Sequence, residues 1–407
     1  MPLRQRSVLS MAKKRGFARF VREDHRYVFL GTSAIACVGL VLANQPHSPS
    51  SFLLRSYAVE SILYYVLLAW LAVSAVALVN KLAKWRGTAY AETSPFTKPE
   101  AKKAERICSY IVWAIVGIFF VDRGIIGLSD LLSSSISSDS NPTDFLASMF
   151  YMLYQMRDTF IQGILGTIEI AVIGTVVAFF LSLGLVFLRL MEIDRSDNDF
   201  VRFWKVVGVG FAKVYSAVMR GTPMMIQGLI IYYAGTGLLT GQGMTPTQIL
   251  QVWSPFNAGL VTVSLNSTAY MMEVLRSGIM AVDPGQTEAA RSLGMSQWQA
   301  MRKVVFPQGI KNAIPALSNE LVINIKDSSV LMAIGVLELT FAVRTIAGVY
   351  FKQMEPYIAA AVVYLILTMI ATKLLNKFGE HFDAKGERVV LGTSDVPVAK
   401  PQGGDEK

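Results

Sequence analysis

Residues 284–294 are Pro284-Gly285-Gln286-Thr287-Glu288-Ala289-Ala290-Arg291-Ser292-Leu293-Gly294, a polar stretch between two long apolar runs. Pro284 suits the first turn of a helix, because its missing N–H would have no intrahelical partner there. Gly294 can take the left-handed conformation that ends a helix. Ser296 and Gln299 fit a capping box, which predicts a second helical piece from Ser296 to Val305. Pro307 is expected to prevent simple continuation of that piece.

The stretch also has the features of a surface that another protein contacts. Ala289 and Ala290 keep one face of the first piece small, so that a partner can approach closely. Leu293, Met295 and Trp298 supply apolar anchors beside that face. Another protein could therefore approach residues 284–307 closely, although the stretch could also be an ordinary amphipathic loop between membrane helices.

The spacing of these residues is similar to the EAA loop in permease subunits of ATP-driven (ABC) importers. The matching residues are Glu288, Ala289, Ala290, Gly294, Val304 and Pro307, while Phe306 stands where Leu is usual. The resemblance implies a coupling helix that docks into a groove on a cytoplasmic ATPase subunit. It implies that Glu288, Ala289, Ala290, Gly294 and Pro307 take part in this coupling.

The composition indicates a membrane protein. The mean hydropathy of the 407 residues is +0.43 and only 16% of them are charged. Apolar runs of about 20 residues are typical of membrane helices. Eight such runs predict an all-α protein with about eight transmembrane helices, at residues 27–43, 61–79, 107–127, 160–188, 206–239, 257–282, 312–337 and 357–375. In the fifth run, Pro and Gly within residues 220–223 are expected to kink or break the helix. In the third run, Asp122 and Arg123 lie towards the far end, where charged groups can reach the membrane surface.

The positive charges indicate the topology. Segments predicted on one side of the membrane hold 29 Lys and Arg residues, against 4 in the segments predicted on the other side. The segments that hold only 4 are residues 44–60, 128–159, 240–256 and 339–355. The positive-inside rule then places both termini and the 284–307 loop in the cytoplasm. This alternation does not favour nucleic-acid binding. The basic leader before residue 27 is long for a signal peptide, so we expect an uncleaved first helix.

The chain divides into four predicted parts. Residues 1–130 form an N-terminal extension with three transmembrane helices, and residues 131–159 an extracytoplasmic linker around the serine-rich segment 133–144. Residues 160–382 contain five helices, which the resemblance identifies as a type I importer permease core. Residues 383–407 are expected to be a flexible cytoplasmic tail. The two cysteines and three histidines define no disulfide framework and no metal cluster.

The seventh apolar run contains the polar sequence Asn324-Ile325-Lys326-Asp327-Ser328-Ser329. Charged side chains within a membrane span are costly unless they are paired or face water. Asp327 could hold the ammonium group of a zwitterionic ligand, and Lys326 its carboxylate. The two side chains could equally pair with each other and lock helices together, and burial arguments leave both interpretations open.

Three further motifs resemble polar amino-acid permeases over residues 160–378. They are the segment from Arg220 to Gln227, the segment from Ala269 to Ile279, and Lys326 to Ser329, where Ser328 replaces the commoner Thr. The substrate-binding residues that we expect are Gln227, Asn266, Glu273, Asn324, Lys326, Asp327, Ser328 and Ser329. Glu273 has a simpler interpretation as the intrahelical partner of Arg276, three residues on.

The resemblance implies a transport subunit, not an enzyme, in a bacterial cytoplasmic membrane. Its implied partners are two ABC ATPase subunits, a second permease subunit that is identical or homologous, an extracytoplasmic solute-binding protein and an amino acid. The sequence has no Walker A pattern, so ATP and Mg²⁺ are expected on the ATPase and no cofactor on this chain. The alternative is an ion- or proton-coupled secondary transporter that uses Glu169, Glu273, Lys326 and Asp327, although the inverted repeats of such proteins are not evident.

Overall fold

The computed structural model describes residues 28–83, 95–193 and 197–383, and every regular element within these ranges is helical. The predicted all-helical class is confirmed. The basic leader 1–26, the basic residues Lys84, Arg86 and Arg195, and the tail beyond residue 383 lie outside the described residues. What was expected of them stays a prediction.

The first compact unit comprises residues 1–151 and is built on three long helices. They are α1, Val28–Ala43, α2, Tyr57–Ala83, and α3, Pro99–Phe119. Helix α3 begins at a proline, which needs no N–H partner in a first turn. Buried side chains from all three helices form one apolar core, which includes Ala36, Leu67, Trp70, Val112 and Phe119.

Helix α3 continues much further than its apolar run. A π-helical segment, Phe120–Ile126, leads into α4, Gly127–Ile136, and α5, Phe145–Gln155, follows. The predicted 131–159 linker therefore contains helices. Serines fit in α4 because their hydroxyls bond carbonyl groups one turn earlier, as Ser135 does to Leu131 at 2.5 Å. The extracytoplasmic position of this segment stays a prediction.

Asp122 and Arg123 are buried within the first unit, and their position relative to the membrane surface stays a prediction. Asp122 is 0% exposed and Arg123 8%. The Asp122 carboxylate accepts hydrogen bonds from the Phe52 amide at 2.9 Å and the Ser51 hydroxyl at 2.8 Å, and it pairs with Arg123. Arg123 also donates to Glu60 Oε1 at 2.5 Å. Buried charges persist when they are paired and hydrogen-bonded in this way.

The second compact unit comprises residues 152–407. Its helices are α6, Arg157–Arg189, α7, Asp199–Gly221, α8, Met224–Gly241, α9, Pro246–Val252, α10, Pro255–Met280, α11, Pro284–Ser292, α12, Gln297–Ala300, α13, Phe306–Asp327, α14, Leu339–Tyr350, and α15, Met354–Asp383. Helix α10 packs against α6, α13, α7 and α8 and lies at the centre. Its buried residues are largely small or polar, such as Ser264, Ser267 and Thr268. A helix surrounded by protein needs no continuous apolar face toward lipid.

Four helical stretches are long and apolar enough to cross a membrane by length and composition. They are Tyr57–Ala83, Pro99–Ile136, Arg157–Arg189 and Met354–Lys377. A fifth is formed if Gln297–Ile334 and Leu339–Tyr350, which are bent by 51°, count as one span. Gly31–Ala43 is a shorter apolar helix. The predicted number of about eight spans stays a prediction.

Two irregularities in the second unit bear on the site. The predicted break within the fifth run is confirmed, because α7 ends at Gly221 and α8 begins at Met224, after Pro223. The predicted outer loop 339–355 is corrected, because a 3₁₀ segment, Ser328–Ile334, follows α13 and the separate helix α14 comes next. Glu338 caps α14 by accepting hydrogen bonds from the Thr340 and Phe341 amides at 2.8 and 2.7 Å.

Candidate functional site

The predicted docking loop has the two helical pieces expected of it. Helix α11 is capped by Asp283, which accepts from the Gly285 amide at 2.8 Å. The chain then turns at Gly294, whose φ is +83°. Ser296 and Gln299 form the predicted capping box at the start of α12. We call residues 284–307 the coupling segment.

Pro307 does not stop the second piece, so that expectation was wrong. A π-helical turn, Met301–Val305, joins α12 to α13, and Pro307 lies in the first turn of α13. A proline is tolerated there because the amide it lacks belongs to a turn that the wider π hydrogen bonds have already interrupted. The coupling segment is thus continuous with α13.

The exposed face of the coupling segment differs from the expected one at a single residue. Ala290 is 4% exposed and packs inside the chain, whereas Glu288 and Ala289 are exposed, and the coupling roles of all three stay predictions. Leu293 is 82% exposed and Trp298 58%. Two bulky apolar side chains therefore project outward from an otherwise polar surface.

An aromatic contact connects the coupling segment to α6. The Phe187 ring lies 4.8 Å from that of Phe306 and 6.1 Å from that of Trp298, between ring centroids. Phe306, which departs from the usual Leu of the EAA pattern, thus has an aromatic partner within the same chain. Through these ring contacts, a displacement of the coupling segment would also displace the end of α6.

A close helix crossing connects the coupling segment to α10. A Cβ atom at Gly278 would lie 2.6 Å from the Gly309 carbonyl oxygen, and one at Gly309 would lie 2.5 Å from Ile279 Cγ1. Only glycine allows the two backbones to approach this closely. Asn312 also donates a hydrogen bond to the Gly278 carbonyl at 3.3 Å. Gly278 lies near the end of α10 and Gly309 near the start of α13, so the crossing is next to the coupling segment.

Two adjoining cavities of about 470 Å³ each lie among α6, α7, α10 and α13. Both are lined by Arg220, Tyr270 and Glu273, and the first also by Arg189 and Lys213. We call this space the polar cavity. The Arg220 guanidinium stands 5.4 Å from the centroid of the Tyr270 ring, within the range of a cation–π contact.

Glu273 has both of the features weighed for it in the sequence. It accepts a hydrogen bond from Arg276 at 2.7 Å, which is the simple intrahelical pair, and it lies 3.5 Å from Arg189 Nε. It also lines the polar cavity. Within the described part of the chain, Lys213 and Arg220 have no carboxylate partner. The cavity therefore carries an excess of positive charge.

Gln227 and Asn266, both predicted substrate ligands, form hydrogen bonds with each other and with the backbone where α7 ends. Asn266 Nδ2 donates to Gln227 Oε1 at 3.0 Å, and Gln227 Nε2 donates to the Met219 and Thr222 carbonyls at 2.8 and 3.0 Å. Both side chains are buried. They satisfy carbonyl groups left without partners where α7 ends.

The predicted ligands of α13 are split between buried and exposed positions. Asn324 is buried, accepts from Ser267 at 2.8 Å and donates to Thr175 at 2.8 Å. Ser328 is buried and donates to the Ile325 carbonyl at 2.9 Å. Lys326 and Asp327 are exposed and Ser329 is half-buried. Lys326 and Asp327 form no ion pair with each other in the described residues.

Relatives of this chain share its sequence over most of their own length. Residues 210–379 match the family of binding-protein-dependent transport system inner membrane components. The glutamine transport system permease protein GlnP of Escherichia coli (strain K12) is 35% identical over 166 residues, which are 41% of this chain and 72% of that protein. The chain belongs to this permease family.

Two further relatives and one solved structure are similar to this chain. A relative from Rickettsia bellii (strain RML369-C) is 36% identical to the permease over 52% of this chain and 86% of its own length. The nopaline transport system permease protein NocM of Agrobacterium fabrum is 31% identical over 51% and 81%. In a crystal structure of an amino acid ABC transporter with histidines, one chain is 34% identical over 59% of the permease and 99% of its own length, with a TM-score of 0.48.

Family membership makes the permease a transport subunit and a multi-pass inner membrane protein. The secondary-transporter alternative is not favoured, because relatives of this family work in binding-protein-dependent systems. The EAA pattern at residues 288–307 is a feature of the family. The roles of individual site residues stay predictions.

Sequence reasoning missed two parts of the permease site. The first is the cationic lining of the polar cavity, because Arg189, Lys213 and Arg220 are far apart in sequence and meet only through helix packing. The second is Glu338, which is 0% exposed and accepts a hydrogen bond from Tyr364 at 2.8 Å. A carboxylate directly after the end of an apolar run was the available signal for a helix cap.

Proposed function

We propose that this permease forms part of an ATP-driven importer for polar amino acids. The observation that carries the proposal is the coupling segment, a helical loop of the family type whose Leu293 and Trp298 project from a polar surface. The amino-acid class is supported by the glutamine and nopaline permeases among its relatives. It is also supported by the presence of both cationic and anionic side chains on α10 and α13.

The coupling segment is the docking site of a separate ATPase subunit. Leu293 and Trp298 are anchors of the kind that dominate protein interfaces, where tryptophan is enriched among the energetically important residues. Glu288 and Ala289 border them. When the ATPase subunits close on ATP and Mg²⁺, the segment moves with them. The contacts of Phe187 with Trp298 and of Gly278 with Gly309 carry that movement into α6 and α10.

The complete importer holds two ATPase subunits, a second permease subunit that is identical or homologous, and an extracytoplasmic binding protein. Both termini of this chain and its coupling segment lie in the cytoplasm, in agreement with the excess of Lys and Arg in those segments. The ATPase supplies ATP hydrolysis, and the permease supplies the pathway.

The substrate meets two groups of charged side chains on its way through the permease. Lys326 and Asp327 offer opposite charges to the carboxylate and the ammonium group of an amino acid. Three helical turns along α13, Asn312 and Ala316 line the polar cavity, where Lys213 and Arg220 have no acidic partner among the described residues. Guanidinium and ammonium groups are strong donors to carboxylates. The polar cavity is therefore the second site that binds the substrate carboxylate.

Reconstituted uptake tests the proposal. The permease is co-purified with its ATPase, reconstituted in proteoliposomes with the binding protein, and assayed for ATP-dependent uptake of labelled glutamine in competition with a panel of amino acids. Polar amino acids are expected to compete. Uptake that proceeds without ATP and follows an imposed ion gradient would contradict the proposal.

A matched pair of lysine variants tests the polar cavity. Lys213→Gln removes a cation that lines the cavity, whereas Lys205→Gln removes one that is paired with Asp197 at 2.6 Å, outside the cavity. Uptake is expected to fall in the first variant only. Equal uptake by the two variants would exclude the polar cavity from the pathway and leave the ATP-driven importer intact.

A further inference from the structure

An apolar cavity of about 420 Å³ lies in the first unit, between α2 and α3. Its walls include Val66, Trp70 and Val73 from α2, and Ala101, Ala104 and Cys108 from α3, and Glu105 is the one charged residue among them. Phe96, from the 3₁₀ turn that precedes α3, closes one end. We call it the lateral cavity. None of its walls belongs to the second unit or to the proposed pathway.

The lateral cavity extends along α3 and is open at the surface of the first unit. Its lining positions on α3 run from Ala101 to Val112, which corresponds to about 16 Å of helix. The apolar walls are accessible, since Val73 is 48% exposed and Ile111 is 48% exposed. A family permease lies in a bilayer, so the neighbour of these side chains is an acyl chain. The shape fits one extended chain, not a second helix.

Three lysines lie close in sequence to the residues that line one end of the lateral cavity, and they outnumber the single carboxylate among the lining residues, that of Glu105. Lys98 is the N-cap of α3 and lies between the lining residues Phe96 and Ala101. Lys102 and Lys103 follow within the first turn, and all three lysines are exposed. Lysine stems can lie along apolar surface while the ammonium groups reach the headgroup region. One end of a hydrocarbon slot is therefore positively charged.

We propose that the lateral cavity binds an anionic phospholipid. One acyl chain lies along the groove between α2 and α3, and the phosphate of the same lipid is held by Lys98 and Lys102. Basic clusters at the membrane surface attract anionic lipids by about 1 kcal/mol per charge. A free phosphate would leave the apolar slot unfilled, and a neutral lipid would leave the lysines unused. The site gives the N-terminal helices a role that does not depend on the transported substrate.

Trp70 provides a direct probe, because it lines the lateral cavity. The full-length permease is placed in nanodiscs with increasing fractions of phosphatidylglycerol or phosphatidylcholine carrying brominated acyl chains, which quench indole fluorescence on contact. The contribution of Trp70 is obtained as the difference from the Trp70→Phe variant. Quenching is expected at lower fractions of the brominated anionic lipid than of the brominated neutral lipid.

Two variants separate the parts of the proposal. Lys98→Gln with Lys102→Gln is expected to reduce the preference for the anionic lipid by about thirtyfold, because each charge contributes about 1 kcal/mol. Ala104→Leu fills the slot and is expected to abolish quenching of Trp70 by both lipids. Ala114→Leu, at an exposed position of α3 outside the cavity, is the control and should behave as the wild type.

Three results would overturn the proposal. Equal quenching by the two lipids in the wild type would mean an unselective lipid contact. Unchanged preference in the double lysine variant would mean that the phosphate is held elsewhere, and quenching that survives Ala104→Leu would mean that the acyl chain lies outside the cavity. Circular dichroism of each variant in the same nanodiscs shows whether it is folded. If Ala104→Leu does not fold, the double lysine variant still tests the site.

Discussion

At the residue scale, the polar positions of α13 separate into a group that holds the protein together and a group that is free to meet a ligand. Asn324 is buried and bonds both Ser267 and Thr175. Lys326 and Asp327 are exposed and form no ion pair with each other in the described part of the chain. We therefore expect a substitution at Asn324 to affect stability and a substitution at Asp327 to affect transport.

Asp327→Asn is expected to weaken transport without destabilising the permease. Loss of one charge-assisted hydrogen bond to the substrate ammonium group should raise the concentration for half-maximal uptake by about tenfold. Asn324→Ala is the comparison, because it leaves Ser267 and Thr175 without partners at a cost of about 1–3 kcal/mol. Thermal unfolding and uptake are measured on both. An unchanged concentration dependence in Asp327→Asn would make Asp327 a structural residue.

Gly294→Val is expected to uncouple ATP hydrolysis from uptake. Valine at φ +83° stores about 1–3 kcal/mol of backbone strain, although no neighbouring atom would clash with it. The segment should therefore change its conformation and not its packing. Gly294→Asn is the control, because asparagine tolerates the left-handed region. ATPase activity and uptake are assayed in the same proteoliposomes, and normal coupling in the valine variant would argue against docking through this turn.

At the element scale, the coupling segment works only if it is rigidly joined to the helices behind it. The contact of Gly278 with Gly309 is one such joint, and the aromatic contact of Phe187 with Phe306 is another. The first depends on backbone approach and leaves no room for a methyl group. It is therefore the more sensitive of the two.

Gly278→Ala is expected to lower stability and coupling together. Its methyl group would lie 2.6 Å from the Gly309 carbonyl oxygen, so α10 and α13 must separate at a cost of about 1–3 kcal/mol. Gly210→Ala in α7 meets no atom within 4 Å and should leave stability unchanged or raise it slightly. Thermal unfolding in detergent distinguishes them. Identical unfolding temperatures would show that this crossing is not a tight joint.

The same elements show what the sequence predicts well and what it does not. The turn at Gly294, the capping box at Ser296 and the break at Pro223 follow from local backbone chemistry, and they are confirmed. The burial of Ala290 and the polar cavity were not predictable, because they depend on packing between distant segments. Helix α14 was missed because its cap, Glu338, bonds residues that a hydropathy count treats as loop.

At the scale of the whole molecule, the match to the Rickettsia and Agrobacterium relatives takes up about half of the chain. The match takes up 52% of this chain but 86% of the Rickettsia bellii protein. The family match covers residues 210–379, which lie in the second compact unit. The N-terminal unit has its own apolar core and its own buried charge cluster at Asp122 and Arg123.

A deletion of residues 1–130 tests whether the N-terminal unit is an addition to the transport core. The remaining chain contains the complete second unit, so we expect it to insert in the membrane and to co-purify with the ATPase at a ratio close to that of the full chain. Quantitative mass spectrometry of the purified complex measures that ratio. Membrane insertion with loss of the ATPase would show that the N-terminal helices belong to the core.

Cysteine cross-linking tests whether an ATPase subunit binds the coupling segment on the cytoplasmic side of the membrane. Leu293→Cys is introduced into a permease whose free cysteines, Cys37 and Cys108, are replaced by serine. Gln251→Cys, exposed in the predicted outer loop, is the control. We expect the cysteine at position 293 to be labelled only from the cytoplasmic side and to be cross-linked to a subunit that binds azido-ATP. Labelling from the outside, or no cross-link to a nucleotide-binding subunit, would contradict it.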